Sequence, residues 1–127
     1  MKIKLLEVLR GPNPATVIFA AEFGQARATW RGDDPVAGQT YWVEMDVDDR
    51  LHWGLEIKTS SSRAYYIGHE AGAVKITGLL EGLDGQGLAD IRLGRGLITV
   101  LTAGAGPETQ EYVDMFVDNL ALFPYEM

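Results

Sequence analysis

Short apolar runs alternate with glycine-rich gaps between Gly72 and Gly104, and this stretch restricts the fold more than any other part of the chain. None of its runs has the length of an ordinary helix. Glycine in so short a gap supplies the positive φ that a tight hairpin requires. The stretch therefore predicts a three-stranded antiparallel meander. Its strands would be Val74–Leu83, Leu88–Leu93 and Leu97–Leu101, separated by Asp84–Gly87 and Gly94–Gly96.

Two-residue alternation indicates further strands outside this stretch. In Gln39–Asp48, apolar and polar side chains alternate strictly, which is typical of a strand with one wet face. Leu51–Lys58 alternates in the same way after a short hairpin loop at Asp48–Arg50. Arg63–Ile67 has the length of a short strand. Met1–Arg10 fits either a strand or a single helical turn, since its apolar residues follow neither period cleanly.

The alternation changes parity within two longer segments. In Ala15–Trp30 the change falls at Gly24, and a glycine at a parity change indicates a bulge that bends one long strand. A helix over Ala15–Ala28 is the alternative, because this segment contains five alanines. The β-branched residues at its start favour the strand. Glu111–Tyr125 changes parity near Asn119 and is predicted to close the chain as a strand.

These runs predict seven or eight short strands, little or no helix, and a single domain over residues 1–127. Turn signals recur about every ten residues, as is typical of an all-β barrel or sandwich. Bends at glycine favour a small, strongly bent antiparallel β-barrel, whose last strand pairs with an early strand to cover the edges. Gly11–Pro14 predicts a firm break. The predicted core is Phe19, Trp30, Val43, Met45, Trp53, Leu55, Ile76, Ile91, Val100, Val113 and Met115.

The composition fits a folded domain. Hydrophobic residues make up 46% of the 127 residues and the mean hydropathy is −0.03, so neither a disordered nor a membrane-embedded class fits. No apolar run approaches the roughly 20 residues of a transmembrane helix, and Met1–Gly11 lacks the apolar core of a secretory signal. The chain has no cysteine, which excludes disulfides and thiolate metal sites. We expect a cytoplasmic protein without a membrane partner.

The formal net charge of −7 is unevenly distributed along the chain. Gly32–Asp49 contains six acidic residues and no Lys or Arg, and five acidic residues but no base follow Arg95. Nucleic-acid-binding proteins usually present the opposite field. The charge therefore disfavours RNA as a partner. It favours either a basic protein partner or acidic residues that only keep the protein soluble.

The sequence offers no recognisable catalytic or metal-binding set. His52 and His69 are the only histidines and do not have the spacing of a zinc site. Asp46, Asp48 and Asp49 lack the glycine and terminal glutamate of a calcium loop, and no G-x-S-x-G motif is present. We therefore expect a non-enzymatic protein with no catalytic residues, no metal and no cofactor.

The wet face of Gln39–Asp48 is the candidate protein interface. Trp42, Glu44, Asp46 and Asp48 share one parity, so they would form an acidic ridge with one large apolar side chain. Tryptophan is enriched at interfaces, and the carboxylates would steer a basic protein towards the ridge. The alternative is an ordinary solvated strand face. The ridge predicts a protein–protein interaction or assembly module that binds a basic protein or a second copy of itself.

Two short motifs resemble a known family. Gly78–Asp84 has the form G-x-L-x-x-hydrophobic-D, and Arg95-Gly96 precedes an apolar strand. These motifs are similar to the two signatures of Sm-like proteins, which are small bent barrels that assemble into rings and bind RNA. The resemblance covers roughly Val74–Val100. It implies a homo-oligomer and RNA contacts at Asp84, Arg95 and Gly96.

Binding of RNA or single-stranded nucleic acid is thus the alternative function. Tyr65 and Tyr66 are adjacent, so one of them faces outward from any strand and could stack a base together with Arg63. An OB-type barrel would fit the strand pattern as well as an Sm-like barrel. The nucleic-acid candidates are Arg63, Tyr66, Asp84, Arg95 and Gly96.

Overall fold

The computed structural model describes residues 1–10 and 14–125, with the backbone alone for Arg10. These residues form an all-β structure with twelve strands and no helix, which confirms the predicted fold class. Most of the predicted break at Gly11–Pro14 lies outside the described residues. The strands are β1 (Lys2–Arg10), β2 (Ala15–Ala21), β3 (Gly24–Trp30), β4 (Thr40–Val47), β5 (Leu51–His52), β6 (Ile57–Thr59), β7 (Tyr66–Glu70), β8 (Ala73–Leu83), β9 (Leu88–Leu93), β10 (Gly96–Ala103), β11 (Tyr112–Val117) and β12 (Leu120–Tyr125).

Five of these strands close into a barrel. β12, β4, β1, β2 and β3 pair antiparallel in that order. β12 then returns to β3 in parallel register, with Ala121 opposite Thr29 and Leu122 opposite Trp30. The last strand therefore covers early strands, as predicted, and each strand of this ring has a neighbour on both sides.

The predicted meander is confirmed and extends the sheet beyond the ring. β3 passes through β7 to β8, β9 and β10, and the last three strands pair antiparallel. The two predicted gaps form their turns, where Gly87 has a φ of 91° and Gly94 a φ of 60°. β11 pairs with β8 on one side and with β6 on the other.

The inward residues of the strands fill one apolar interior. Every predicted core residue is buried except Trp53 and Leu55. Trp53 is half-buried against the core, and its indole Nε1 donates a hydrogen bond to Thr102 Oγ1 at 2.9 Å. Leu55 is 67% exposed, so its assignment to the core was wrong. Burial of apolar surface is the main force that holds such a fold together.

The parity change at Gly24 is a hairpin and not a bulge. Ala21 pairs with Gly24 across a turn at Glu22 and Phe23, so Ala15–Trp30 forms two strands and neither the bent single strand nor the helix. A two-residue turn pairs odd with even positions, and it changes the inward parity just as a bulge does. Gly24 has a φ of 143°, and a Cβ there would collide with the carbonyl oxygen of Ile67 on β7.

The alternating segment Leu51–Lys58 is also not one strand. A turn at Gly54, with a φ of 92°, separates β5 from β6. Gly54 N donates to Ile57 O at 2.8 Å, and Leu55 N donates to His52 O at 3.0 Å. Leu55 sits on this turn, which explains its exposure. The predicted hairpin at Asp48–Arg50 is wrong as well, because β4 pairs with β1 and β12 and β5 pairs with β10.

The closing segment Glu111–Tyr125 divides at Asp118 and Asn119 into β11 and β12. Asp49 fixes this corner. Its carboxylate accepts hydrogen bonds from Asp118 N at 2.7 Å and from Asn119 Nδ2 at 2.6 Å. The corner moves the chain from the β8–β11 pairing into the barrel wall. Asp49 is therefore a structural carboxylate.

Candidate functional site

The outward sides of β4 and β12 form an aromatic face. The register places Trp42 opposite Tyr125 and Glu44 opposite Phe123. Trp42, Phe123 and Tyr125 remain 38%, 40% and 43% exposed, respectively. Single exposed apolar side chains are ordinary, whereas three large ones on paired strands form a patch of the kind that marks an interaction site. Trp42 lies on the outward side, as its parity predicted.

The predicted acidic ridge is divided between two environments. Glu44 and Asp46 lie on β4 beside the aromatic face. Asp48 follows the end of β4, and its Oδ2 lies 3.7 Å from Arg31 Nη2 in an exposed ion pair. Partial burial and, after it, the neighbouring Asp48 carboxyl raise the pKa of Asp46. Arg31 offsets this rise only in part, and a further cation beside Asp46 would stabilise its ionised form.

A groove of about 560 Å³ runs beside the aromatic face. This volume falls within the range of roughly 300–1,000 Å³ that is usual for ligand sites. Its walls include Glu44, Asp46, Leu97, Thr99, Phe123 and Tyr125. Arg95 and Tyr125 also line an adjoining hollow that contains Trp42. The groove and the aromatic face therefore form one continuous surface.

The groove follows a line where two strands lie side by side without a ladder. β10 approaches β4 with Cα atoms within 8 Å, yet no pairing joins the two strands among the described residues. We call this line the seam and define it as Glu44–Val47 of β4 together with Gly96–Thr99 of β10. An unpaired strand edge is a template for another strand, so the seam offers main-chain hydrogen bonds within the groove.

The structure does not bring the nucleic-acid candidates together. Asp84 lies in the turn before β9, whereas Arg95 and Gly96 follow it. The length of β9 therefore separates the two positions by roughly 20 Å at the rise of a β-residue. Arg63 is exposed in the loop before β7, and Tyr66 is exposed on β7 itself. Arg95 and Gly96 instead line the groove beside the aromatic face.

Both histidines make local contacts. His52 Nδ1 lies 2.8 Å from Glu56 Oε1, and the side-chain hydrogen bond from His52 holds the pKa of Glu56 below its usual value. His69 Nε2 accepts a hydrogen bond from Arg27 N at 3.0 Å. In the part of the chain that the structure describes, no three His, Cys, Asp or Glu side chains are grouped to hold a metal ion.

About half of the residues of this site were not predicted from the sequence. Phe123 and Tyr125 join Trp42 only because β12 pairs with β4, and that register depends on the corner at Asn119. Leu97 and Thr99 reach the groove only because the sheet curls until β10 lies against β4. The outward parity of Leu97 was readable from the meander, but its neighbour across the seam was not.

Comparisons with protein families, with curated proteins and with solved structures find no match for this chain. The Sm-like resemblance therefore stays a prediction. Within residues 1–10 and 14–125, no helix is long and apolar enough to cross a bilayer.

Proposed function

We propose that this protein is a non-enzymatic protein-interaction and assembly module, and that its aromatic face and the adjoining groove bind a basic partner. The observation that carries the proposal is the joint exposure of Trp42, Phe123 and Tyr125 on paired strands. Aromatic side chains dominate binding energy at protein interfaces. Adjacent exposed aromatic side chains often mark a surface that a partner covers.

The charge around the face supports a basic partner. Glu44 and Asp46 lie in the groove, whose positive groups are Arg95 and the terminal ammonium of Met1, which interacts with Glu44. Asp46 is partly desolvated and faces the Asp48 carboxyl, which raises its pKa. A lysine or arginine from a partner would relieve this repulsion, and the net charge of −7 would speed the encounter.

The proposal is tested by a quantitative pull-down from an extract of the source cells. The bait proteins are the wild type, Trp42→Ala/Phe123→Ala, and the control Leu55→Ala/Leu88→Ala, which removes exposed leucines elsewhere on the surface. We expect the aromatic variant to recover the partner about tenfold less well, and the control to match the wild type. Equal recovery by all three proteins, with unchanged thermal melts, would contradict the proposal.

Assembly with a second copy is the other form of this function. Light scattering over a wide range of concentration distinguishes it, because the monomer has a mass of 13.9 kDa. A mass that rises with concentration in the wild type, and not in Trp42→Ala/Phe123→Ala, would identify the second copy as the partner. A constant monomer mass would leave a different, basic protein as the partner.

One observation favours nucleic-acid binding as a second candidate. Lys75 Nζ lies 5.8 Å from the ring centroid of Tyr66 and 6.0 Å from that of Phe116. Lys58 Nζ lies 5.6 Å from the Phe116 centroid. Of the two rings only that of Tyr66 is exposed, and a base stacked on its free face would have Lys75 near its phosphate. The ion pair of Lys75 with Glu70, at 3.8 Å, weakens this positive field.

Anisotropy of a labelled single-stranded RNA over a series of salt concentrations tests this candidate. Phosphate contact requires affinity that falls steeply with salt. Tyr66→Ala and Lys75→Gln should each weaken such binding, whereas Trp42→Ala should not. Anisotropy that stays flat at low salt would eliminate this candidate.

A further inference from the structure

Hydrogen-bond directions show which main-chain groups face the seam. Val43 and Met1 exchange hydrogen bonds, at 2.7 Å from Val43 N and at 2.9 Å from Met1 N. The main-chain groups of a strand alternate in direction, so those of Met45 and Val47 point to the same side as those of Val43. No described residue pairs with them there.

The facing edge of β10 is open in the same way. Thr102 N donates to Gly87 O at 2.7 Å, which fixes Gly96, Ile98 and Val100 as the residues bonded to β9. The groups of Leu97 and Thr99 therefore point away from β9 and towards the seam. Two strand edges whose donors and acceptors have no main-chain partner among residues 1–10 and 14–125 thus face each other along the groove.

The free edges of β1, β5 and β6 are protected or short. The end of β1 has register breaks at Leu6 and Leu9, beyond the part that pairs with β4. Bulges of this kind twist an edge away from further pairing. β5 and β6 are only two and three residues long. β4 and β10 are eight residues each, and no register break interrupts either pairing of β4 or the β9–β10 pairing.

The acidic residues of the groove have the spacing of a strand. Glu44 and Asp46 are two residues apart, so their side chains lie on one side of β4 and are separated by roughly 6–7 Å. Alternate side chains of an extended segment have the same separation. Lysines at alternate positions of a strand added at the seam would therefore lie on the outward side with both carboxylates and with Leu97, and the residues between them would point to the interior beside Met45 and Ile98.

We propose that the seam groove binds an extended basic segment of a partner protein by β-strand addition. The inference rests on the proposed function and specifies how the partner is held. Main-chain hydrogen bonds to the seam give affinity, and the alternating side chains give specificity. A strand that pairs with both edges needs β4 and β10 to lie two strand spacings apart, which is roughly 9.6 Å. In the structure, Cα atoms of β10 lie within 8 Å of Cα atoms of β4. A segment that pairs with both edges therefore widens the seam.

The probe is a synthetic peptide of about six residues, an ordinary strand length, that alternates lysine and valine and is blocked at both ends. A peptide with glutamate in place of lysine tests the charge. A peptide methylated at every second amide nitrogen tests the main chain. Binding is measured by calorimetry and by amide chemical shifts. We expect the lysine peptide to bind and to shift the amides of Leu97 and Thr99, and both altered peptides to bind about tenfold more weakly or worse.

Matched protein variants separate the contribution of the groove carboxylates from that of the main-chain hydrogen bonds. Glu44→Lys/Asp46→Lys should weaken the lysine peptide about tenfold or more. Its control, Asp33→Lys/Glu108→Lys, makes the same change in net charge at exposed positions away from the groove. Thr99→Pro removes one free N–H at the seam and should weaken the peptide about three- to tenfold, as one lost hydrogen bond implies. Its control, Thr59→Pro, lies on the outer edge of β6.

The inference is overturned if the lysine peptide does not bind at millimolar concentration, or if the glutamate or methylated peptide binds as well. It is also overturned if Thr99→Pro binds the peptide like Thr59→Pro. In each of these cases, loss of the cellular partner with Trp42→Ala/Phe123→Ala would still support the proposed function. Recovery of the partner by that variant at the wild-type level would remove the proposed function as well.

Discussion

The closed ring and the seam share strand β4 but differ in whether the edges of their strands are paired. In the ring, β4 pairs with β1 at one end and with β12 along its length, and β12 closes onto β3. At the seam, β4 lies beside β10 with no ladder between them. The interiors behind both regions are equally apolar, since Met45 of β4 and Ile98 of β10 are both buried.

This difference shows that the burial of apolar side chains does not require the main-chain groups of the same strands to be paired. Apolar side chains close the interior across the seam. The main-chain groups along the seam have no hydrogen-bond partner among the residues that the structure describes. Native proteins usually blunt such edges, as the end of β1 does here with its register breaks. A long edge left unblunted beside an aromatic face is therefore the feature that we connect with binding.

Proline substitution gives the largest expected effect. Ile98 N–H belongs to the β9 ladder, so Ile98→Pro loses that bond and much of a buried side chain, and should cost roughly 4–6 kcal/mol of unfolding free energy. Thr99 N–H faces the seam, so Thr99→Pro should cost under about 1 kcal/mol. Urea denaturation measures both values. Equal losses would mean that the seam is paired.

Two phenylalanine side chains, one in the ring and one on the aromatic face, allow a second comparison of the two regions. Phe19 is fully buried in the ring, and Phe123 is 40% exposed on the aromatic face. Phe19→Ala should cost about 3–5 kcal/mol of unfolding free energy, and Phe123→Ala less than about 1 kcal/mol. Both are measured as shifts of the urea midpoint at constant slope. A large loss for Phe123→Ala would show that this side chain holds the fold together.

The sequence predicted the ring better than the seam, for a physical reason. Alternation within a strand indicates which side chains face the interior, and Phe19, Trp30 and Val43 of the ring were assigned correctly on that basis. Alternation does not report which strands are neighbours. The placement of β12 on β4 and of β10 beside it depends on the chain reversals at Gly24 and Asn119.

The same limit explains the errors at the turns. A glycine at a parity change is compatible with a bulge or with a hairpin, and at Gly24 the hairpin allows β3 to approach Ile67 on β7. At Gly54 a turn interrupts an alternation that would otherwise be a strand. Trp42 was placed outward correctly because the position of a side chain in the alternation is enough to predict its side of the sheet. Its aromatic neighbours Phe123 and Tyr125 are distant in sequence, so the alternation did not predict them.

The smallest expected effect concerns the pH dependence of stability. The pKa of Asp46 is raised above its ordinary value of 3.8 by partial burial and then by Asp48. A carboxyl whose pKa is higher in the folded state destabilises the fold when ionised, and this cost disappears once the pH falls below the unfolded value. Asp46→Asn should therefore raise the melting temperature slightly at pH 7, and the gain should vanish below about pH 3.8. Thermal melts across this pH range check the sign, and a lower melting temperature at pH 7 would contradict it.

Amide hydrogen exchange along β10 tests the open seam most directly. Ile98 and Val100 donate to β9, whereas Leu97 and Thr99 face the seam. We predict that the amides of Ile98 and Val100 exchange only with global unfolding, and that those of Leu97 and Thr99 exchange orders of magnitude faster. Protection of Leu97 and Thr99 at the level of Ile98 in the isolated protein would contradict the account, because it would show that the seam is already paired.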